Sequence, residues 1–445
     1  MGASLAIAGG TKAISDDMKV RWPVITHEDK DAVLQVLDSG ILWGLYAPQM
    51  RALEKEFAEY IGVKFCLTMN SGTAALHAAV AAAGVGPGDE VITPAFSFLA
   101  SAVAVLHHNA IPVFVDIDPR TFNIDVTKIE EKITPRTKAI MPVHIHGLPA
   151  DMDEVLAIAK RHGLVVIEDA CQAHGAIYKG RKAGSIGDMA TFSLNTTKNL
   201  PGGEGGFFVT DSEEYRGKAN MLRMFGEYVK PNEGRKYQAY TMGWNYRTQE
   251  MPCAFTRSQL KRLDSVNENA RRNAEYLTSE LSKIPGVIPP YVPPDRTSIY
   301  HKYRIRLNPA ALGLDVPVSE FRAKVQAALQ AEGVDAVRWQ TSPIPGQPLF
   351  QIMEGYGKGC PWTCKFNEGV TYSYDPADYP ETVKLIEDSL VICSETYPIY
   401  CQTMDLMKRY VEAFYKVFEN IDQVLKVEVT GDEEQVAGIT MRKIG

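Results

Sequence analysis

The run Leu164-Val165-Val166-Ile167-Glu168-Asp169-Ala170-Cys171-Gln172-Ala173-His174 carries four aliphatic residues and then stops at two acids. An apolar run this short, rich in β-branched residues and without polar alternation, suits a strand buried on both faces. A helical pattern over 151–162 leads into it. The alternation continues outward, with strands expected at 138–144, 111–116, 90–94 and 65–70 and helices near 97–107 and 74–83. Strands alternating with helices predict an α/β fold with a mainly parallel central sheet flanked by helices. In such sheets ligands bind beyond the carboxyl ends of the strands. Asn70-Ser71-Gly72-Thr73, Pro94-Ala95-Phe96-Ser97-Phe98 and Glu168-Asp169 all fall at those ends.

A further strand end lies at Thr191-Phe192-Ser193. Lys198 follows five residues later, and then Gly202, Gly203, Gly205 and Gly206. Glycine at this density marks backbone that turns tightly or passes close to a ligand. An enclosed lysine beside it is a candidate imine-forming nucleophile, because desolvation favours the neutral amine. The competing reading is a solvated lysine on a surface loop. At Ser71-Gly72-Thr73 a strand gives way to an alanine-rich helix, whose unpaired first N–H groups and dipole suit an anion. A plain helix cap by Ser71 or Thr73 is the alternative. The segment has neither Walker spacing nor the GxGxxG of dinucleotide folds.

Elsewhere, Thr26 is a candidate N-cap, with Asp29 in the first turn, for a helix over 24–39. Met50, Leu53, Phe57 and Tyr60 mark an apolar face over 47–61. A long helix is expected from about 251 to 281. The C-terminal half is more mixed, with a strand at 303–307, helices at 319–332 and 404–418, and a stretch over 355–380 rich in Gly, Pro, Tyr and Asp. The last reads as an irregular insertion near the site or a subunit contact. With a formal charge of −7, nucleic acid and anionic membranes are not expected partners. The first ten residues lack the basic start and apolar core of a signal peptide, and no stretch is long enough to span a membrane. Seven cysteines, an odd number, read as thiols in a reducing compartment, so a cytoplasmic protein is expected. Cys360 and Cys364 form a CxxxC pair without a second pair, and no metal site is expected.

Five motifs occur in order: Asn70-Ser71-Gly72-Thr73-Ala74-Ala75-Leu76, Glu168-Asp169-Ala170-Cys171-Gln172-Ala173-His174-Gly175-Ala176, Phe192-Ser193 to Lys198, Gly203-Glu204-Gly205-Gly206, and Asn245-Tyr246-Arg247. Together they resemble the sugar and cyclitol aminotransferases of the DegT/DnrJ/EryC1/StrS family, over about residues 22–421. The resemblance implies fold type I of the pyridoxal 5′-phosphate-dependent transferases, with a smaller α+β C-terminal domain. It divides the chain into an N-terminal arm (1–21), a large cofactor-binding domain (22–255) and a small domain (256–445) with an insertion at about 352–385.

It also implies roles. Lys198 matches the Schiff-base lysine and Asp169 the carboxylate paired with the pyridinium nitrogen. Ser71, Gly72, Thr73 and Ser193 match the phosphate cradle, and Gln172 a contact near the phenolic oxygen. Asn245 matches a residue reaching the phosphate from the neighbouring subunit, which implies a homodimer with shared sites. Phe98 stands where the family stacks an aromatic on the cofactor, with an ordinary core phenylalanine as the alternative. Glu204 either orients the glycine turn or meets substrate. His144, His146 and His174 read as structural hydrogen-bond partners. Many relatives carry a histidine ahead of Gln347-Pro348, and this chain does not. Lys198 sets it apart from dehydratase relatives that have histidine there. The implied reaction moves an amino group from L-glutamate or L-glutamine to a keto sugar or keto cyclitol, a nucleotide-linked keto sugar being the alternative acceptor. A cofactor-bound regulator without turnover is a more distant alternative.

Overall fold

The computed structural model describes residues 4–44, 47–229 and 235–429. Its central sheet has seven strands in the order Phe65–Met69, Gly206–Thr210, Met189–Ser193, Val165–Asp169, Thr137–Ile140, Glu90–Pro94, Ile111–Val115. Only Gly206–Thr210 runs antiparallel to its neighbours. Successive strand residues point to opposite faces, and both faces are apolar. Val91, Ala139, Ile167, Met189 and Phe208 pack under the helices Gly72–Ala82, Ala100–Leu106 and Glu213–Arg223. Their neighbours Ile92, Ile140 and Val166 face the helix Met152–His162 on the other side. Ala190, Phe207 and Val209 meet Pro48–Ile61 there through Met50, Leu53 and Phe57. Burial on both faces is why these strands read as unbroken apolar runs.

The C-terminal half builds a four-stranded antiparallel sheet, Val287–Ile288, Tyr303–Leu307, Ser389–Ile392, Ala336–Val337. Leu263–Leu281, Val318–Ala331 and Met404–Glu419 share its core. The N-terminal segment joins that core through the fully buried Leu5 and Ile14. Glu332 holds it by accepting the N–H groups of Ala6 at 2.7 Å and Ala13 at 3.1 Å, while pairing with Lys416 at 2.8 Å. No helix among the described residues is long and apolar enough to cross a membrane.

Two expectations are corrected. The helix expected over 251–281 is two helices, Glu250–Leu260 and Leu263–Leu281. The break serves packing. Arg262, at the join, turns back to Thr26 Oγ1 at 2.7 Å and Asp29 Oδ2 at 2.9 Å. That carboxylate oxygen also accepts the Thr26 N–H at 2.8 Å, the capping arrangement expected for His27–Ser39. The first of the two helices lies against the large sheet's helices, the second against the C-terminal core. The stretch over 355–380, expected near the site or a subunit contact, contributes no residue to the lining of the cavity described below. It covers the edge strand Ile111–Val115: Trp362 Nε1 donates to the Tyr374 hydroxyl at 3.0 Å, which donates to the Pro112 carbonyl at 3.2 Å. Capping an exposed strand edge prevents unwanted pairing.

Candidate active site

The loop after Ser193 is tied into a compact knot. The N–H groups of Leu194, Thr196 and Gly202 donate to the carbonyls of Gly205, Gly203 and Leu194 at 2.8, 2.9 and 2.7 Å. Asn195 braces it, accepting the Thr197 N–H at 3.0 Å and donating to Glu204 at 2.7 Å, while Glu204 also lines the cavity, so its tie to the turn and a contact with substrate are compatible. The Trp22 indole donates to the Lys198 carbonyl at 3.1 Å and the Tyr400 hydroxyl to that of Thr197 at 2.7 Å. None of the glycines after Lys198 lines the cavity. Gly203 takes a φ of +85°, which favours glycine, and a Cβ on Gly206 would lie 2.5 Å from the Ser71 carbonyl oxygen. They serve the turn and its close approach to the neighbouring strand end rather than a ligand.

At that neighbouring end Ser71 Oγ accepts the Ala74 N–H at 3.0 Å and caps Gly72–Ala82. The first bond within this helix runs from Ala75 N to the Ser71 carbonyl at 3.1 Å. The N–H groups of Gly72 and Thr73 precede it, at the positive end of the helix dipole. The cap and the anion site are therefore compatible. A Cβ on Gly72 would lie 2.8 Å from Ser193 Cβ and 3.2 Å from Cys171 Sγ, so the two strand ends touch here.

Glu168 and Asp169, adjacent in the strand, face opposite ways. Asp169 turns to the cavity, where Oδ2 accepts from Ser101 Oγ at 2.7 Å and Oδ1 from the Cys171 N–H at 3.2 Å. Glu168 turns away and is held by His144 Nε2 at 2.8 Å and by the N–H groups of Gly184, Ile186 and Gly187. Because His144 Nδ1 accepts the Ala150 N–H at 3.1 Å, the ring proton sits on Nε2. His146 donates its backbone N–H to Gln172 Oε1 at 2.8 Å, while its Nε2 accepts from Arg304 at 3.0 Å. Both histidines are structural partners. His174 does not fit that expectation: its ring packs against Phe192 at 5.2 Å and neither ring nitrogen is hydrogen-bonded.

Ser71, Gly72, Thr73, Phe98, Asp169, Gln172, Ser193 and Lys198 line one cavity of about 550 Å³. Phe98 is 57% exposed at its rim, not a core residue. Asn245 is exposed and lies outside the cavity of its own chain, its Oδ1 accepting from Arg247 Nε at 2.8 Å. Burial pushes the Lys198 amine below the ordinary lysine value, although Cys171, Glu395, Asp169 and Glu204 push the other way. Two neutral imidazoles stand near it. Burial lowers His174 to about 3 and drives His301 well down, and the charge of Lys198 adds to both.

His301, Lys302, Trp339, Gln340, Thr341 and Glu395 also line the cavity, and none of them was expected from the sequence. His301 Nε2 lies 3.4 Å from Lys198 Nζ. The one available signal was a polar pair, His301-Lys302, set just before an alternating strand. Gln340 itself, and Tyr300 and Cys393 close by in the chain, hold left-handed backbone, at φ of 67°, 46° and 65°. Non-glycine residues seldom do so, and strain of this kind gathers at functional sites.

The chain is similar to known aminotransferases. GDP-perosamine synthase of Caulobacter vibrioides is 39% identical over 320 residues, 72% of this chain and 83% of that protein. L-glutamine:2-deoxy-scyllo-inosose aminotransferase of Streptoalloteichus tenebrarius is 41% identical over 330 residues, 71% of this chain and 77% of that protein. Among solved structures, S. venezuelae DesV in complex with a ketimine intermediate superposes with a TM-score of 0.75 at 32% identity, covering 90% of this chain and 99% of that one. The family model matches residues 23–372, and with Lys198, Asp169 and the capped turn meeting in one cavity the chain belongs to the DegT/DnrJ/EryC1/StrS aminotransferase family.

Proposed function

We propose that this aminotransferase carries an amino group from L-glutamate or L-glutamine to the ketone of a sugar or cyclitol, using pyridoxal 5′-phosphate held in the cavity around Lys198. The carrying observation is a buried amine facing the same cavity as a hydrogen-bonded carboxylate and an N-terminal helix turn. These residues suit the cofactor: the open N–H groups of Gly72 and Thr73 with the Ser193 hydroxyl for the phosphate, Asp169 for the ring nitrogen, and Lys198 for the aldehyde carbon. When bound, the cofactor supplies an electron sink and stores the amino group between the two half-reactions. Lys198 Nζ, lowered by burial, takes a proton from the α-carbon of the donor and returns one to the former ketone carbon of the acceptor. Asp169, fixed by Ser101 and Cys171, holds a proton on the ring nitrogen. Gln172 and Phe98 orient the ring from the wall and the rim. Asn245, exposed and outside its own cavity, serves the site of a second copy, so the active unit is a homodimer.

The acceptor class follows the relatives named for a perosamine sugar and an inosose. The test is to incubate the cofactor-loaded protein with L-glutamine or L-glutamate and, separately, keto-inositols and nucleotide-linked keto sugars, with products weighed by mass spectrometry. A new primary amine on one of these rings is expected. Turnover by a Lys198→Ala protein would sink the assignment.

A further inference from the structure

The cavity wall contains an ion pair to which the reaction above gives no task. Lys302 Nζ lies 2.9 Å from Glu395 Oε1 and 5.3 Å from the centre of the Trp339 ring. Lys302 immediately precedes Tyr303–Leu307 and Glu395 follows Ser389–Ile392, neighbouring antiparallel strands in which Tyr303 faces Ile392. The register of the small sheet therefore delivers both side chains to one point of the cavity. They are unequal in burial: the Lys302 side chain is 3% exposed, that of Glu395 21%. Apart from Lys198, Lys302 is the only lysine or arginine among the described residues lining the cavity.

A transaminase cavity must admit two different partners in turn. The amino donor brings an anionic α-carboxylate, whereas the reacting ring of a sugar or cyclitol is uncharged. A buried ammonium left without a counter-charge is strongly disfavoured. Exchanging one carboxylate for another leaves it paired throughout. We infer that Lys302 binds the α-carboxylate of the amino donor, displacing Glu395, and that Glu395 takes Lys302 back when the uncharged ring of the acceptor occupies the cavity. The more exposed partner is the one that moves. The inference rests on the aminotransferase reading of the site. It deepens that reading by assigning how one cavity tells a charged substrate from a neutral one. Trp339, beside the ammonium, stiffens its position and provides a fluorescent reporter.

The test uses the cofactor-loaded protein and glutarate, which carries the α-carboxylate common to both donors, and the second carboxylate of L-glutamate, but no amine, and so cannot react. Its dissociation constant is read by tryptophan fluorescence and calorimetry, beside donor and acceptor KM. Lys302→Met is expected to weaken glutarate between about ten- and hundredfold, the loss of one charged hydrogen bond, and to raise donor KM to a similar degree while acceptor KM moves less. Lys302→Arg retains most of the binding. Glu395→Gln, which removes the competing carboxylate, tightens glutarate and raises acceptor KM. A merely structural pair would loosen glutarate in both variants. Loosening in Glu395→Gln overturns the inference even if Lys302→Met fails to fold, as does an unchanged constant in Lys302→Met. A wild-type protein that binds glutarate but moves no amino group would count against the proposed function instead, so the two failures are distinguishable.

Discussion

Ser101 Oγ donates to Asp169 Oδ2 at 2.7 Å across 68 residues of sequence, and Ser97 Oγ lies 2.9 Å from Ser101 Oγ. The helix start after Glu90–Pro94 thereby orients the acid that ends Val165–Asp169. Ser101→Ala leaves a buried carboxylate oxygen without its donor, at a cost of about 1–3 kcal/mol. The expected outcome is a kcat lowered by roughly tenfold or more, with the cofactor released more readily in a visible-absorbance titration. An unchanged kcat would remove Ser101 from the machinery.

Capture of cofactor should report the state of Lys198. A protonated amine cannot attack a carbonyl, so capture by the cofactor-free protein rises as pH climbs through the amine's value in the fold. Burial holds that value below 10.5, against the pull of Cys171 and the carboxylates of Glu395, Asp169 and Glu204. The half-rise is therefore expected below 10.5, and lower again in Glu204→Gln, which loses an anion that favours the proton. Stopped-flow absorbance over a pH series measures both. A half-rise at or above the ordinary lysine value contradicts the picture.

Gly72 and Gly217 make an instructive pair. A Cβ on Gly72 would sit 2.8 Å from Ser193 Cβ, whereas Gly217 in Glu213–Arg223 has nothing within 4 Å. Gly72→Ala must move the turn and is expected to cost about 1–3 kcal/mol in stability and much of the cofactor's phosphate affinity. Gly217→Ala should add roughly 0.5–1 kcal/mol by ordering the helix. Chemical denaturation of the two proteins gives the comparison.

The pair of Glu168 and His144 predicts the acid limb of stability. Burial pushes the Glu168 carboxyl up, but hydrogen bonds from His144 and from the N–H groups of Gly187 and Gly184 outweigh it, leaving the carboxyl below its ordinary 4.5. A depressed acid stabilises the fold fully above its unfolded value, and that contribution is lost as pH falls through the folded one. Thermal melts should therefore lose stability on acidification below 4.5. Glu168→Gln puts an amide against N–H donors, so it should cost about 1–3 kcal/mol at neutral pH and flatten this acid limb. An acid limb as steep as that of the wild type would assign the proton elsewhere.

Strands and their ends were legible because burial on both faces leaves a local mark, a short apolar run stopped by a polar residue. Val165–Asp169 and Glu90–Pro94 lie where their apolar runs predict. The break at Lys261–Arg262 was not legible, because helical periodicity continues through it and the contacts of Arg262 with Thr26 and Asp29 lie more than 230 residues away in the chain. The place of the 355–380 stretch was equally hidden, since composition marks irregular chain but not the edge strand it covers.

The sequence by itself determined the kind of fold and the local chemistry: a strand ending in Asp169, a turn at Ser71-Gly72-Thr73, and Lys198 ahead of its glycines. Each is a feature of consecutive residues, where periodicity and turn chemistry act. Tertiary structure alone decided what stands opposite them. Lys302 and Glu395 meet although 93 residues separate them, and His301 reaches Lys198 across 103. The first contact depends on the small sheet's register and the second on how that sheet packs against the large one, and neither leaves a periodic signal in the chain.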